Sequence, residues 1–127
     1  MIAAIAQTKE VHSFYPHMYI RGLWRPKGML IAGAAHKTAH WNILVSGELS
    51  VYMRGTVKRI KGPLVFWSES GVSKMTYAHS DSLLLTVHET DETDLDKLEI
   101  ELIEGRPEYS RHKPEIDNFR KLLENAA

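Results

Sequence analysis

Residues 33–47 read Gly33-Ala34-Ala35-His36-Lys37-Thr38-Ala39-His40-Trp41-Asn42-Ile43-Leu44-Val45-Ser46-Gly47. Side chains along a β-strand point alternately to its two faces. A strand through this segment places His36, Thr38, His40, Asn42 and Leu44 on one face. Trp41, Ile43 and Val45 then lie on the other, and Ser46-Gly47 supplies a turn. Two imidazoles on one inner wall are suited to lining a polar pocket, and they are also nitrogen donors for a divalent transition metal.

Short runs of the same kind flank this stretch. Residues 17–20 are aromatic and β-branched, followed by Gly22, Pro26 and Gly28 as punctuation. Residues 29–32 form another apolar run. In residues 48–53, Leu49, Val51 and Met53 alternate with Ser50 and Tyr52. Arg54-Gly55 suits a hairpin tip, from which residues 57–60 return. Residues 63–67, 74–78 and 83–88 complete the series. Many short strands with glycine-containing turns predict a mainly β chain closed into a sandwich or barrel.

After His88 the period changes. Thr93 is placed to cap a helix with Asp96 three residues on, and Leu95, Leu98 and Leu102 recur at helical spacing. Alternation over residues 99–103 leaves a strand there as the alternative. Residues 105–113 read as a surface loop. Pro114 suits a first helical position, and Ile116, Phe119, Leu122 and Leu123 make one apolar stripe. The expected organisation is a barrel over residues 1–88, including an N-terminal arm, and a helical extension of the same domain over residues 89–127.

Composition bounds the function. The 127 residues carry 43% apolar and 25% charged side chains and no cysteine, which excludes disulfides, thiolate catalysis and zinc–thiolate sites. No apolar run approaches the roughly 20 residues of a membrane span, and the apolar opening of residues 1–6 is too short for a signal peptide. These features predict a cytoplasmic protein with no membrane partner. Net charge is zero, yet residues 1–79 hold ten Lys/Arg against three Asp/Glu, and residues 80–127 hold six against thirteen. The basic half favours an anionic ligand. With no basic run, nucleic acid is disfavoured. No Gly-x-Ser-x-Gly elbow, phosphate loop or dinucleotide fingerprint occurs.

Residues 33–47 resemble the first cupin motif, in which two histidines one residue apart precede a glutamate and a strand-ending glycine. Counting back from Gly47, His40 stands at the glutamate position, His36 at the second histidine and Ala34 at the first. Residues 62–74, Gly62-Pro-Leu-Val-Phe-Trp-Ser-Glu-Ser-Gly71-Val-Ser-Lys74, resemble the second motif. There Glu69 replaces a proline, Lys74 a histidine and Ala78 an asparagine. The chain thus resembles small RmlC-like cupins, and its HKT-x-H opening and VH-x-TDETDL close resemble uncharacterised tailed-phage cupin proteins. The resemblance implies a single jelly-roll β-barrel with one or two C-terminal α-helices. It also implies a metal such as Fe, Mn, Ni or Zn on the motif's histidines, His36 and His40, to which His88 is a third candidate ligand because it ends an apolar strand toward the barrel mouth.

On the second-motif strand Lys74, Thr76 and Ala78 share a face. An ammonium donates hydrogen bonds and opposes a nearby cation, so Lys74 suits a carboxylate or phosphate instead. The candidate ligand-binding residues are therefore His36, His40, Asn42, Lys74 and Thr76. His79 and His88 are further candidates, with His88 equally suited to closing its strand on a backbone carbonyl. His12, His17 and His112 receive no role. Trp41, Phe66, Trp67 and Tyr77 fit barrel core or subunit contact. Phe14, Tyr15, Tyr19 and Trp24 make the opening segment adhesive, which predicts a homodimer. Three functions follow: a small-molecule-binding cupin with a His/Lys pocket; a metal-dependent dioxygenase, isomerase or lyase; or a phage interaction or assembly protein using the barrel as scaffold.

Overall fold

The computed structural model describes residues 9–32, 37–102 and 109–125. Nine strands build two antiparallel sheets: β1 (Lys9–Tyr15), β2 (Met18–Arg25), β3 (Leu30–Ala32), β4 (His40–Ser46), β5 (Glu48–Met53), β6 (Thr56–Lys61), β7 (Leu64–Ser68), β8 (Lys74–Ala78) and β9 (Ser82–Glu89). One sheet runs β1-β2-β9-β4-β7 and the other β3-β8-β5-β6. They face each other as a jelly roll, and two helices follow, α1 (Leu95–Leu102) and α2 (Tyr109–Asn125). The mainly β barrel with C-terminal helices is therefore as expected. No helix among the described residues is long and apolar enough to cross a membrane.

The alternating patterns decide what each face meets. Leu44, Leu49, Val51, Ala78 and Leu84 interlock inside the barrel. β5 is buried on both faces, because Tyr52 on its other side packs with Ala32, Met75, Ile116 and Phe119 beneath α2. The Tyr52 and Phe119 rings lie 5.5 Å apart, and Asn118 Nδ2 donates to the Tyr52 hydroxyl at 3.3 Å. The apolar stripe of α2 is thus spent on the outside of the smaller sheet. Leu98 and Leu102 of α1 bury Tyr19.

Turns follow residue chemistry. Arg54 (φ 50°) and Gly55 (φ 80°) form the two-residue tip joining β5 to β6, with Met53 opposite Thr56. Gly47 (φ 92°) lets the chain leave β4 for the other sheet. Its carbonyl accepts from Gly62 N–H at 2.9 Å, so the glycines of the two motifs meet across the intervening hairpin.

Three local expectations are corrected. Gly22 is not a turn but lies in mid-β2, where an added Cβ would come within 2.7 Å of Leu85 Cδ2. Close packing, not backbone reversal, requires the glycine, and β2 therefore runs on to Arg25. Helix α1 is capped by Asp94 rather than Thr93: Asp94 Oδ1 accepts from Asp96 N–H at 2.9 Å and Lys97 N–H at 3.2 Å, because a carboxylate complements the unpaired amides of the first turn. This helix also takes the place of the strand alternative. Helix α2 starts at Tyr109, five residues before Pro114. The loop expected over residues 105–113 is accordingly helical from 109. A proline early in a helix removes only one amide donor.

Gly47→Ala combines a left-handed backbone with a Cβ placed on the Ser82 hydroxyl and 2.5 Å from the Asp81 carbonyl. It is expected to cost more than about 3 kcal/mol in urea unfolding. Gly55→Ala has open space around it and is expected to cost only about 1–2 kcal/mol. Equal losses would contradict this reading of Gly47.

Candidate functional site

Cross-strand register gathers a polar layer inside the barrel. Asn42 lies opposite Thr86 on β9 and Phe66 on β7, and His40 lies opposite Ser68. On β2, Tyr19 lies opposite His88, Arg21 opposite Thr86 and Arg25 opposite Ser82. The facing sheet contributes Lys74 and Thr76 from β8. Lys74, Asn42, His40, His88 and Tyr19 thus lie beyond the apolar layer toward the end that α1 covers, whereas Arg25, opposite Ser82, starts from the other end of β2.

Asn42 joins the two sheets. Its Oδ1 accepts from Lys74 Nζ at 2.7 Å and its Nδ2 donates to Ser68 Oγ at 2.7 Å. It is fully buried, and both ends of its amide are engaged, which makes it a positioning residue for Lys74. Burial, reinforced by the Arg25 charge, holds the Lys74 amine down to about 7. Its base form therefore begins to accumulate at neutral pH.

His40 and His88 are both buried, with ring centroids 4.7 Å apart. His40 Nδ1–H donates to the Thr38 carbonyl at 3.1 Å, a tautomer that leaves the lone pair on Nε2. His88 Nε2 pairs with Thr86 Oγ1 at 3.1 Å. Burial and then the Lys74 charge depress His40 to about 4. Burial, His40, Lys74 and Arg21 depress His88 to about 3. Both rings are neutral at pH 7.

Arg25 is a second buried cation that went unread in the sequence. It is 8% exposed, and its Nη1 donates to the Leu23 carbonyl at 3.1 Å. Burial and the Arg21 charge lower it to about 10. Arg21 is answered by Glu10, at 2.6 Å, whereas no carboxylate pairs with Arg25 or Lys74 among the described residues. Arg25 Nε and Thr76 Oγ1 are buried and make no hydrogen bond within the described chain. The signal for Arg25 was its phase: Tyr19, Arg21, Leu23 and Arg25 alternate inward once β2 is allowed to pass through Gly22.

The remaining candidates are placed as follows. His36 lies outside the described residues. Strand β4 begins at His40, so the strand expected through Thr38 is shortened, and Thr38 lends its carbonyl rather than its side chain. His88 turns inward beside His40. His79 points out of the barrel, where Ser50 Oγ lies 2.7 Å from its Nε2. His12 contacts the Tyr19 hydroxyl at 2.6 Å and His17 pairs with Asp91 at 2.5 Å.

The expected metal can be tested on this donor set. Two imidazoles stand together, no carboxylate joins them, and no group of three His, Asp or Glu side chains suited to a metal occurs among the described residues. The ammonium and guanidinium nearby oppose a divalent cation in a low-dielectric interior. The described residues do not fit a divalent metal.

Solved structures share this architecture. An RmlC-like cupin from Shewanella frigidimarina matches with a TM-score of 0.60 and 19% identity, covering 71% of this chain and 80% of its own. An RmlC-like cupin family protein with a double-stranded β-helix fold, from Methanocaldococcus jannaschii, matches at 0.56 and 12%, covering 65% and 82%. A salicylate 1,2-dioxygenase from Pseudaminobacter salicylatoxidans matches at 0.60 and 13%, over 65% of this chain but 26% of that enzyme. No family model and no curated protein matches the sequence. At these identities the likeness is one of fold.

A lysine lowered to about 7 in the folded chain and ordinary when unfolded binds fewer protons folded than unfolded between those limits. Stability therefore falls as pH drops from about 10.5 to about 7 and stays reduced below. Lys74→Met removes this dependence. Relative to the variant, the wild type is expected to lose a few kcal/mol, roughly, between pH 10 and pH 6 in urea unfolding. Parallel pH profiles would contradict the buried, acid-free setting of Lys74.

Proposed function

We propose that this chain is a cupin-fold small-molecule-binding protein whose barrel holds an anionic ligand at Lys74, Arg25 and Thr76. The observation that carries the reading is a buried Arg25 and a half-buried Lys74 that no carboxylate answers among the described residues. Leaving charge buried and unpaired costs several kcal/mol, roughly, per ion, and an anion entering the barrel relieves that cost. The Thr76 hydroxyl and Arg25 Nε are buried polar atoms with no hydrogen bond within the described chain, and each could serve such a ligand. Asn42 holds the Lys74 ammonium in place, while the neutral imidazoles of His40 and His88 offer polar contacts without adding charge.

The chemistry asks for a compact carboxylate or phosphate. Charge-assisted hydrogen bonds from ammonium and guanidinium to such oxygens are about twice as strong as neutral ones.

Calorimetric titration with inorganic phosphate, acetate and benzoate tests the assignment. Binding by at least one is expected, strengthening as pH falls from 9 to 7, because Lys74 must be protonated to hold the anion and its amine titrates at about 7. Lys74→Met and Arg25→Gln are each expected to weaken it at least about tenfold. Affinity unchanged in both variants, or flat with pH, would remove the anion site from the barrel.

A further inference from the structure

Helix α2 covers only part of the outer face of the smaller sheet. Register sets the rows of that face. Ala32, Met75, Tyr52 and Val57 lie side by side across β3, β8, β5 and β6, and the next row is Leu30, Tyr77, Ser50 and Arg59. Ile116 and Phe119 close over the first row. The second row is left along a groove of about 850 Å³, bounded on the other side by Arg120, Leu122 and Leu123 of α2. Small-molecule sites run to roughly 300–1,000 Å³. We propose that this groove, outside the barrel, is a second binding site, and that it takes a free monocarboxylate carrying an apolar chain or ring.

The walls suit the apolar part. Leu30, Val57, Tyr77, Leu122 and Leu123 pack on the core beneath α2 yet stay only partly buried, so apolar surface of both sheet and helix faces the groove. The polar atoms between them are already engaged. Ser50 Oγ lies 2.7 Å from His79 Nε2, and the His79 ring stands edge-on to Tyr77 at 5.0 Å and 75°. His79, a sequence candidate with no place in the barrel, is thereby fixed in the wall of the groove. A surface held in this way needs little reordering when a ligand enters.

The charges suit one carboxylate. Arg59 and Arg120 line the groove, with Glu124 as the acid beside them. Arg59 Nη2 donates to Glu48 Oε2 at 2.6 Å, which anchors the guanidinium while leaving further N–H groups for a ligand. Glu48 also lies opposite Lys61. No carboxylate pairs with Arg120 among the described residues. Arg59, Lys61 and Arg120 against Glu48 and Glu124 leave one positive charge in excess. A guanidinium matches a carboxylate in charge and in its paired donor geometry, whereas a dianion would set its second charge against Glu48 and Glu124.

The groove is separate from the barrel site. Tyr77 and Thr76 are neighbours on β8 but point to opposite faces, and the smaller sheet lies between the groove and Lys74.

Calorimetric titration of the full chain with octanoate, acetate and octanol is the test. Octanoate is expected to bind, and acetate and octanol, which each lack half of it, at least about tenfold more weakly. Arg120→Gln and Arg59→Gln alter exposed side chains, so circular dichroism is expected to report an intact β fold, and each is expected to weaken octanoate at least about tenfold. Phosphate binding, which reports the barrel, is expected unchanged in Arg120→Gln, so that the two sites stand or fail separately. No octanoate binding at millimolar concentration would overturn the proposal. So would octanoate affinity that is unchanged in both arginine variants, or lost in Lys74→Met alone, because the ligand would then sit elsewhere or inside the barrel.

Discussion

The two hydrogen bonds of Asn42 hold the polar half of the barrel together. Through Oδ1 it accepts the Lys74 ammonium from the smaller sheet, and through Nδ2 it donates to Ser68 on its own sheet, each at 2.7 Å. Around this junction the interior divides. Below it Leu44, Leu49, Val51 and Leu84 make a dry layer. Above it His40, His88 and Tyr19 lie under Leu98 and Leu102 of α1. An amide is suited to the junction because it accepts and donates at once without bringing a charge of its own. An aspartate there would neutralise Lys74 and end its suitability for an external anion.

That choice propagates through the electrostatics. With no internal acid among the described residues, each positive group raises the cost of the next. Arg25 pushes Lys74 down, and Lys74 pushes His40 and His88 down. The imidazoles are left neutral in a layer whose positive charge is already in excess. The same excess explains why the barrel matches cupins in fold while its described donors suit an anion better than a divalent cation. One architecture carries many functions, and the difference here is a lysine, Lys74, on the second-motif strand beside Asn42.

Much of the fold was legible because it depends on local rules. The Arg54-Gly55 tip, the alternation of β5 and the helical stripe of Ile116 and Phe119 each follow from backbone sterics or a single period. Gly22 shows the limit. A glycine that reverses the chain and one that yields space to a neighbouring leucine are identical in sequence, and only the pairing of β2 with β9 tells them apart. Misreading it ended β2 early and hid Arg25, the second cation of the site. His40, Asn42, Lys74 and Thr76 could be placed on inward faces from alternation alone. That Asn42 braces Lys74, and that His88 stacks near His40, depends on the register of β4 and β9 and the facing of the two sheets. These are set by contacts far apart in the chain.

Strands buried on one side only ordinarily place polar residues on the other, yet β4 and β7 place Trp41, Val45, Val65 and Trp67 there.

The central claim is a lysine held inside the barrel with no acid beside it, and NMR of isotope-labelled lysine side chains measures this most directly. One lysine, identified by its loss in Lys74→Met, is predicted to titrate near 7 and to move upward when phosphate is added. A Lys74 that titrates near the ordinary 10.4, unmoved by phosphate, would contradict the account.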